Sequence, residues 1–159
     1  MKGYKALDKN LVNRTGTFFE IGKKYIVKDN NIKWGSNGFH FCTNIEDTLR
    51  YVDTENDNYS IVEVESSGNM IKYEDDYYGY YDMFVCNEIE ILRQISREEL
   101  FNIVYTSNNV QRIQRLITSI KLTEEEISLI KHRYPSLTLF INYYQNNDKL
   151  AFERKLKLD

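Results

Sequence analysis

The sequence has few of the residues that build disulfide frameworks and metal sites. Its 159 residues include two cysteines, two histidines and one proline. Two cysteines cannot form a disulfide framework, and so few cysteine and histidine residues do not make a cluster of the kind that zinc sites use. Cys42 and Cys86 lie in apolar, strand-like stretches, which predicts buried small residues and not catalytic thiols. We therefore expect no metal site.

Long apolar runs are also lacking. No stretch approaches the roughly 20 apolar residues that span a bilayer, and residues 1–6 have no apolar stretch of the secretory type. A content of 42% hydrophobic and 14% aromatic residues is typical of a folded domain and not of a disordered chain. We expect a folded protein that acts in the cytoplasm without a membrane partner.

Charge is unevenly distributed along the chain. Residues 1–92 carry 10 lysines and arginines against 16 acidic residues, a net of -6, whereas residues 93–159 carry 11 against 8. Phosphate binding requires clustered cations, so this pattern argues against direct nucleic-acid binding by the acidic N-terminal part. A host protein with a basic surface is the partner that the pattern favours.

The hydrophobic period changes from about two to about 3.6 residues after Leu92. Before this point we predict a short helix over residues 44–52, capped by Asn44, and strands at residues 4–7, 25–27, 38–42, 60–65, 70–73 and 83–92. After it, capping boxes begin at Ser96 and Thr123, and helices follow. The sequence predicts an α+β fold: a mostly antiparallel sheet domain at residues 1–95 and a small helical bundle at residues 96–159. Apolar helix stripes there form either a core or a homodimer interface.

Residues 87–92 (Asn-Glu-Ile-Glu-Ile-Leu) place two carboxylates one residue apart in an apolar strand. Side chains alternate along a strand, so Glu88 and Glu90 point to the same face. Charge there is costly unless it is solvated, paired or functional. Two interpretations stay open: a solvated sheet face, as at Glu63 and Glu65, or a catalytic pair.

Residues 74–82 are both acidic and aromatic, and we interpret them as a surface loop or edge. Tyrosines provide large, rigid contact surfaces, and carboxylates attract a basic partner. The alternative is a solvated loop whose tyrosines cover the sheet. The candidate partner-binding residues are Glu74, Asp75, Asp76, Tyr77, Tyr78, Tyr80, Tyr81 and Asp82.

The order of motifs resembles the ADP-ribosyltransferase superfamily. A first strand contains residues 3–6 (Gly-Tyr-Lys-Ala), a Gly-aromatic strand at residues 38–43 leads to Tyr51, and a late strand carries the glutamates. The phrases Lys-Gly-Tyr-Lys-Ala and Gly-Phe-His-Phe-Cys are also similar to an uncharacterised domain family common in phages and large viruses. The resemblance spans residues 2 to 95 and implies an ADP-ribosyltransferase-like sheet domain.

The resemblance also implies roles for single residues around the cofactor NAD. Glu90, or alternatively Glu88, would stabilise the oxocarbenium-like transition state as nicotinamide leaves. Cys42 and Thr43 would support that glutamate, and Tyr51 would stack near nicotinamide.

Two further residues complete the implied cofactor site. Lys5 stands where the superfamily has an arginine or a histidine that grips the phosphates, and lysine lacks the planar fork of arginine. His40 is either a half-buried strand residue or a base.

Two functions follow. The first is a non-enzymatic accessory protein of a phage or mobile element. It would bind and inhibit a host protein through the acidic aromatic surface, for instance a nucleic-acid-handling defence effector, as anti-CRISPR proteins do, and would need no cofactor. The second is an NAD-dependent ADP-ribosyltransferase that modifies such a host protein. The lysine at position 5 favours the first function.

Overall fold

The computed structural model describes residues 1–28, 30–74 and 82–145. These residues form helices and an antiparallel sheet, which confirms the prediction of an α+β fold with a mostly antiparallel sheet. The elements in chain order are β1 (Lys2–Leu7), β2 (Lys24–Ile26), β3 (Phe39–Cys42), a first 3-10 helix (Ile45–Tyr51), β4 (Ser60–Lys72), β5 (Met83–Ile95), α1 (Arg97–Thr106), α2 (Val110–Ser119), α3 (Glu124–Arg133), a second 3-10 helix (Pro135–Leu137) and α4 (Thr138–Gln145). The chain divides into two compact units, residues 1–103 and residues 104–159.

The described strands of the first unit form one sheet, in which four strands pair in a closed ring. β1 pairs with β4, β4 with β5, β5 with β3, and β3 returns to β1 at the single position where Tyr4 faces Cys42. β2 extends the sheet by pairing with β5. Apolar side chains fill the interior because the alternate residues of these strands turn inward. The buried cluster comprises Leu7, Phe19, Phe41, Val62, Val64, Cys86, Ile89 and Ile91.

The predicted segments 60–65 and 70–73 belong largely to one long strand, β4. A bulge between Ser67 and Met70 lets the strand continue past Gly68, whose φ of 72° is unfavourable for residues with a side chain. The Asn87 side chain holds the bulge by accepting a hydrogen bond from the Asn69 N–H at 2.7 Å. The glycine therefore bends the strand instead of ending it.

The predicted helix at residues 44–52 is a 3-10 helix over Ile45–Tyr51, and Asn44 does not cap it. The capping prediction is wrong because Asn44 turns its amide donor toward Asp47, with Nδ2 and Oδ2 3.4 Å apart. The helix buries Glu46, Asp47 and Thr48 together with its apolar residues. It contacts β1 and β3 and so closes one side of the sheet.

The predicted capping boxes are both present. Ser96 and Glu99 exchange hydrogen bonds of 3.1 and 3.3 Å, and Thr123 and Glu126 exchange bonds of 3.2 and 3.0 Å. These bonds satisfy N–H groups that a helix start otherwise leaves unpaired.

In the second unit, the Gln145 side chain fastens the turn between α2 and α3. It donates to the carbonyls of Ile117 and Ile120 and accepts from the Leu122 N–H. Within the described residues, no helix combines the length and apolar character needed to cross a membrane.

Candidate functional site

A cavity of about 530 Å³ lies in the first unit, beside β1 and β3. Its remaining walls come from residues 8–15, residues 34–36, the first 3-10 helix and the loop that follows this helix. The volume is within the range of small-molecule sites in proteins. The side chains that bring polar or aromatic chemistry to it include Lys5, Arg14, Trp34, His40 and Tyr51.

Lys5 spans the two strands that border the cavity. Its Nζ donates a hydrogen bond to the His40 carbonyl at 2.9 Å and lies 5.6 Å from the centre of the Phe19 ring. The ion pairs of the described residues involve other lysines. Burial without a carboxylate disfavours the ammonium and lowers the pKa of Lys5 to about 8.

His40 is a neutral hydrogen-bond acceptor in the cavity wall. Its Nε2 accepts the Gly35 N–H at 2.9 Å, so this nitrogen carries no proton. Burial, with a smaller contribution from the Lys5 charge, lowers the pKa of His40 to about 4. This hydrogen bond ties the His40 ring to the loop at residues 34–36 and uses the lone pair of Nε2.

Two partly exposed aromatic residues, Trp34 and Tyr51, line the cavity. Trp34 is 36% exposed and stacks on Tyr73 with ring centres 4.1 Å apart, and Tyr51 is 51% exposed. The Tyr51 hydroxyl donates to the Met83 sulfur, which fixes the ring. Aromatic faces of this kind stack on planar ligands.

Sequence reasoning missed Trp34 and Arg14. Arg14 is exposed in the loop at residues 8–15, which is held by backbone bonds to the Asn13 side chain. Trp34 is the only tryptophan and precedes the turn-forming residues 35–37. A lone tryptophan beside a turn is a signal that could have drawn attention to this loop.

Four of the five predicted cofactor-binding residues line the cavity: Lys5, His40, Cys42 and Tyr51. Cys42 is buried, and burial raises the pKa of its thiol to about 12, so the thiol is neutral. The fifth residue, Thr43, is outside the cavity lining, and its N–H donates to the Asp82 carbonyl at 3.0 Å.

Glu88 and Glu90 are half-exposed on the outer face of β5 and do not belong to the cavity lining. The Glu88 carboxylate lies 2.7 Å from the Lys24 ammonium and accepts the Ser67 hydroxyl at 3.0 Å. Both bonds lower the pKa of Glu88. Glu90 faces Lys24 on one side and Glu65 on the other.

The acidic aromatic segment falls mostly outside the described residues. Residues 75–81 are not described, which includes Asp75, Asp76, Tyr77, Tyr78, Tyr80 and Tyr81. Of its two described ends, Asp82 forms an ion pair with Lys72 at 3.1 Å and Glu74 is exposed. Within the described part of the chain, no three histidine, cysteine or acidic residues form a group able to hold a metal ion.

Comparison with known proteins identifies the sheet unit as a family domain. The family described as "Domain of unknown function (DUF7666)" matches residues 1–103. No curated protein and no solved structure gives a significant match to the chain. The matched residues include every strand described above and the whole cavity lining. The chain therefore belongs to the DUF7666 family.

Proposed function

We propose that this protein functions by binding and not by ADP-ribosyl transfer, as a phage or mobile-element accessory protein that inhibits a host protein in the host cytoplasm. The observation that carries this choice is the position of Glu88 and Glu90 on the outer face of β5, outside the cavity lining. A transferase glutamate would have to contact the ribose of a bound NAD. Glu88 instead bonds to Lys24 and Ser67.

The outer face supports a basic protein as the partner. Glu65 and Glu90 face each other across β4 and β5, and neither carboxylate forms an ion pair among the described residues, although Lys24 interacts electrostatically with Glu90. Like charges at opposed positions destabilise a sheet. Lys2 on β1 and Lys24 on β2 lie opposite the other sides of Glu65 and Glu90, and a cation from a partner would add a further favourable contact to this carboxylate pair. Host proteins that handle nucleic acid have basic surfaces. An anti-CRISPR-like role fits this face.

The test neutralises the opposed carboxylates. Immobilised protein captures partners from host lysate, mass spectrometry identifies them, and the purified partner is titrated at low and high salt. We expect Glu65→Gln with Glu90→Gln to weaken binding by about tenfold and to reduce its salt dependence. The matched control is Glu124→Gln with Glu125→Gln, which makes the same charge change on exposed positions of α3. Full affinity of the first double variant contradicts the proposed face.

The acidic aromatic segment is tested separately. Changing Tyr77, Tyr78, Tyr80 and Tyr81 together to alanine removes its aromatic contact surface and keeps its carboxylates. Loss of partner binding in this variant assigns the segment to the interface. Unchanged binding limits the interface to the sheet face.

A second candidate function, NAD binding, is favoured by the cavity. Lys5, His40, Cys42 and Tyr51 have cofactor roles through the resemblance to ADP-ribosyltransferases, and all four line this one space. An ADP-ribosyltransferase-like sheet domain is part of the same proposal. Trp34, a partly exposed aromatic residue of the same lining, adds a side chain on which a base or a nicotinamide could stack.

Trp34 provides the readout for NAD binding, because it is the only tryptophan and lies in the cavity wall. We expect NAD to change the Trp34 fluorescence and to raise the melting temperature; at about 100 times Kd the stabilisation is about 2.7 kcal/mol. Tyr51→Ala should remove both effects, whereas Tyr143→Ala, an exposed tyrosine of α4, should not. If labelled ADP-ribose is transferred to host protein and Glu90→Gln abolishes the transfer, the enzymatic alternative is correct.

The helical unit supports a homodimer proposal. Leu139 is 82% exposed on α4, and Tyr143, one turn later, is 41% exposed. Light scattering at increasing concentration tests this, and Leu139→Asp should shift the protein to the monomer. A wild-type monomer at all concentrations contradicts the proposal.

A further inference from the structure

We propose that Lys5 is a nucleophilic amine that forms an imine with a ligand bearing an aldehyde or ketone group in the cavity. The inference is independent of NAD and of a protein partner. It starts from the position of Lys5 in the cavity wall, where its Nζ bonds to the backbone carbonyl of His40 and faces the Phe19 ring. A lysine surrounded by apolar groups and lacking a carboxylate is the usual form of an imine-forming lysine.

The surroundings of Lys5 keep its amine available in the neutral form. Burial lowers its pKa to about 8, so roughly one tenth of the amine is neutral at pH 7, far more than for a lysine with the ordinary pKa. The titratable groups that interact with it are His40 and Cys42 on β3 and Cys86 on β5. Burial lowers the pKa of His40 to about 4 and raises the pKa of Cys86 to about 11. None of these groups carries the negative charge that would hold Lys5 protonated.

The chemistry balances without a further reactant. The lone pair of the neutral Nζ attacks the carbonyl carbon, a C–N bond forms, and the carbonyl electron pair moves to oxygen. The carbinolamine then loses water: the oxygen leaves with both amine hydrogens, and the C–N bond becomes a C=N bond. Nothing is oxidised or reduced, so the step needs only the amine and the carbonyl ligand.

Other groups in the cavity wall indicate which carbonyl compounds fit. Trp34 and Tyr51 are partly exposed aromatic residues of the cavity lining, and aromatic side chains favour a planar ligand. Arg14 is exposed and has no ion-pair partner within the described residues, so it favours an anionic substituent. Pyridoxal 5′-phosphate combines an aldehyde, a planar ring and a phosphate, and we use it as the probe.

The experiment treats the folded full-length protein with pyridoxal 5′-phosphate, traps the imine with borohydride and locates the adduct by peptide mass spectrometry. We expect Lys5 to be labelled about tenfold faster than the exposed Lys9 and Lys33, because an ordinary lysine is almost fully protonated near neutral pH. The labelling rate at Lys5 should rise with a midpoint near pH 8. These reference lysines lie in the same molecule, so the comparison needs no variant.

A variant separates the nucleophile from the hydrogen bond. Lys5→Arg keeps a donor for the His40 carbonyl but has no nucleophilic amine, so the rapid adduct should disappear while circular dichroism stays unchanged. The proposal is overturned if Lys5 in the folded protein is labelled no faster than Lys9 and Lys33. It is equally overturned if Lys5 reacts only after unfolding in urea, since the amine then serves only as a buried hydrogen-bond donor that no ligand reaches.

Discussion

The cavity and the outer face of β5 have opposite effects on charged side chains, although strands of the same sheet form both. In the cavity, burial lowers the pKa of Lys5 and of His40, so both groups shift toward their neutral forms. On the outer face, hydrogen bonds between Glu88 and Lys24 lower the pKa of the acid and raise that of the base. Each partner there stabilises the other in its charged form.

This difference separates two kinds of chemistry. Neutral amines can attack carbonyl carbons and neutral imidazoles can accept hydrogen bonds, which suits the cavity to the proposed imine chemistry. Fixed charges in contact with water attract partners over a distance of about 10 Å at moderate salt, which suits the outer face to the proposed partner binding. The three predictions below test whether the two regions differ in packing, in response to pH and in response to charge.

The largest expected effect is in the packing of the cavity wall. A Cβ at Gly38 would lie 2.6 Å from the Val85 side chain and 3.0 Å from the Cys86 carbonyl, and its φ is 114°. Gly38→Ala should therefore lower the free energy of unfolding by about 3 kcal/mol. Gly22→Ala is the control, because Gly22 has a φ of 81° but no atom within 4 Å of its Cβ position; we expect a loss of about 1 kcal/mol. Equal losses in urea denaturation would mean that the wall is not tightly packed.

The second effect is a pH dependence that originates at His40. Its folded pKa of about 4 lies below the ordinary value of 6.5, so between these values the unfolded chain binds more protons. Stability from this group is therefore complete above the unfolded pKa and falls as the pH decreases, by about 2 kcal/mol between neutral pH and about pH 5.

A matched pair of variants separates the contribution of His40 to the pH dependence of stability from the contribution of the carboxylates. His40→Gln keeps an acceptor near the Gly35 N–H and does not titrate, so its stability should change less with pH than that of the wild type. His132→Gln makes the same substitution at an exposed position of α3 and is the matched control. Urea denaturation at several pH values measures both, and identical slopes for His40→Gln and the wild type would show that His40 is as hydrated as an exposed histidine.

The sequence predicts the elements of the sheet better than it predicts the site. Alternating residues and capping boxes are local patterns, so β5 and the starts of α1 and α3 follow from them. The cavity depends on residues far apart in the chain, such as Arg14, Trp34 and Tyr51, whose proximity is set by strand order. No local pattern contains that information.

Residues 87–92 illustrate the same limit. Alternation correctly predicts that Glu88 and Glu90 share a face, and both are half-exposed. It does not reveal that Lys24 lies beside them, because the pairing of β2 with β5 joins residues more than 60 positions apart. The two positions thus differ in their contacts: Glu88 binds Lys24 and faces Ser67 on β4, whereas Glu90 lies opposite Lys24 without an ion pair between them and faces Glu65 on β4.

The smallest effects should therefore differ between these two glutamates. Glu88→Gln removes the charge that binds Lys24, so the melting temperature should fall slightly and high salt should reduce the difference from the wild type. Glu90→Gln removes a repulsion with Glu65 together with an attraction to Lys24, so the two contributions oppose each other and stability should change by less than about 0.5 kcal/mol. Thermal unfolding at low and high salt measures both changes, and Trp34 fluorescence should be unaffected because neither residue lines the cavity. A fall at Glu90 equal to that at Glu88 would mean that Lys24 stabilises both carboxylates equally, and Glu90 would then be less available to a cation of a basic partner.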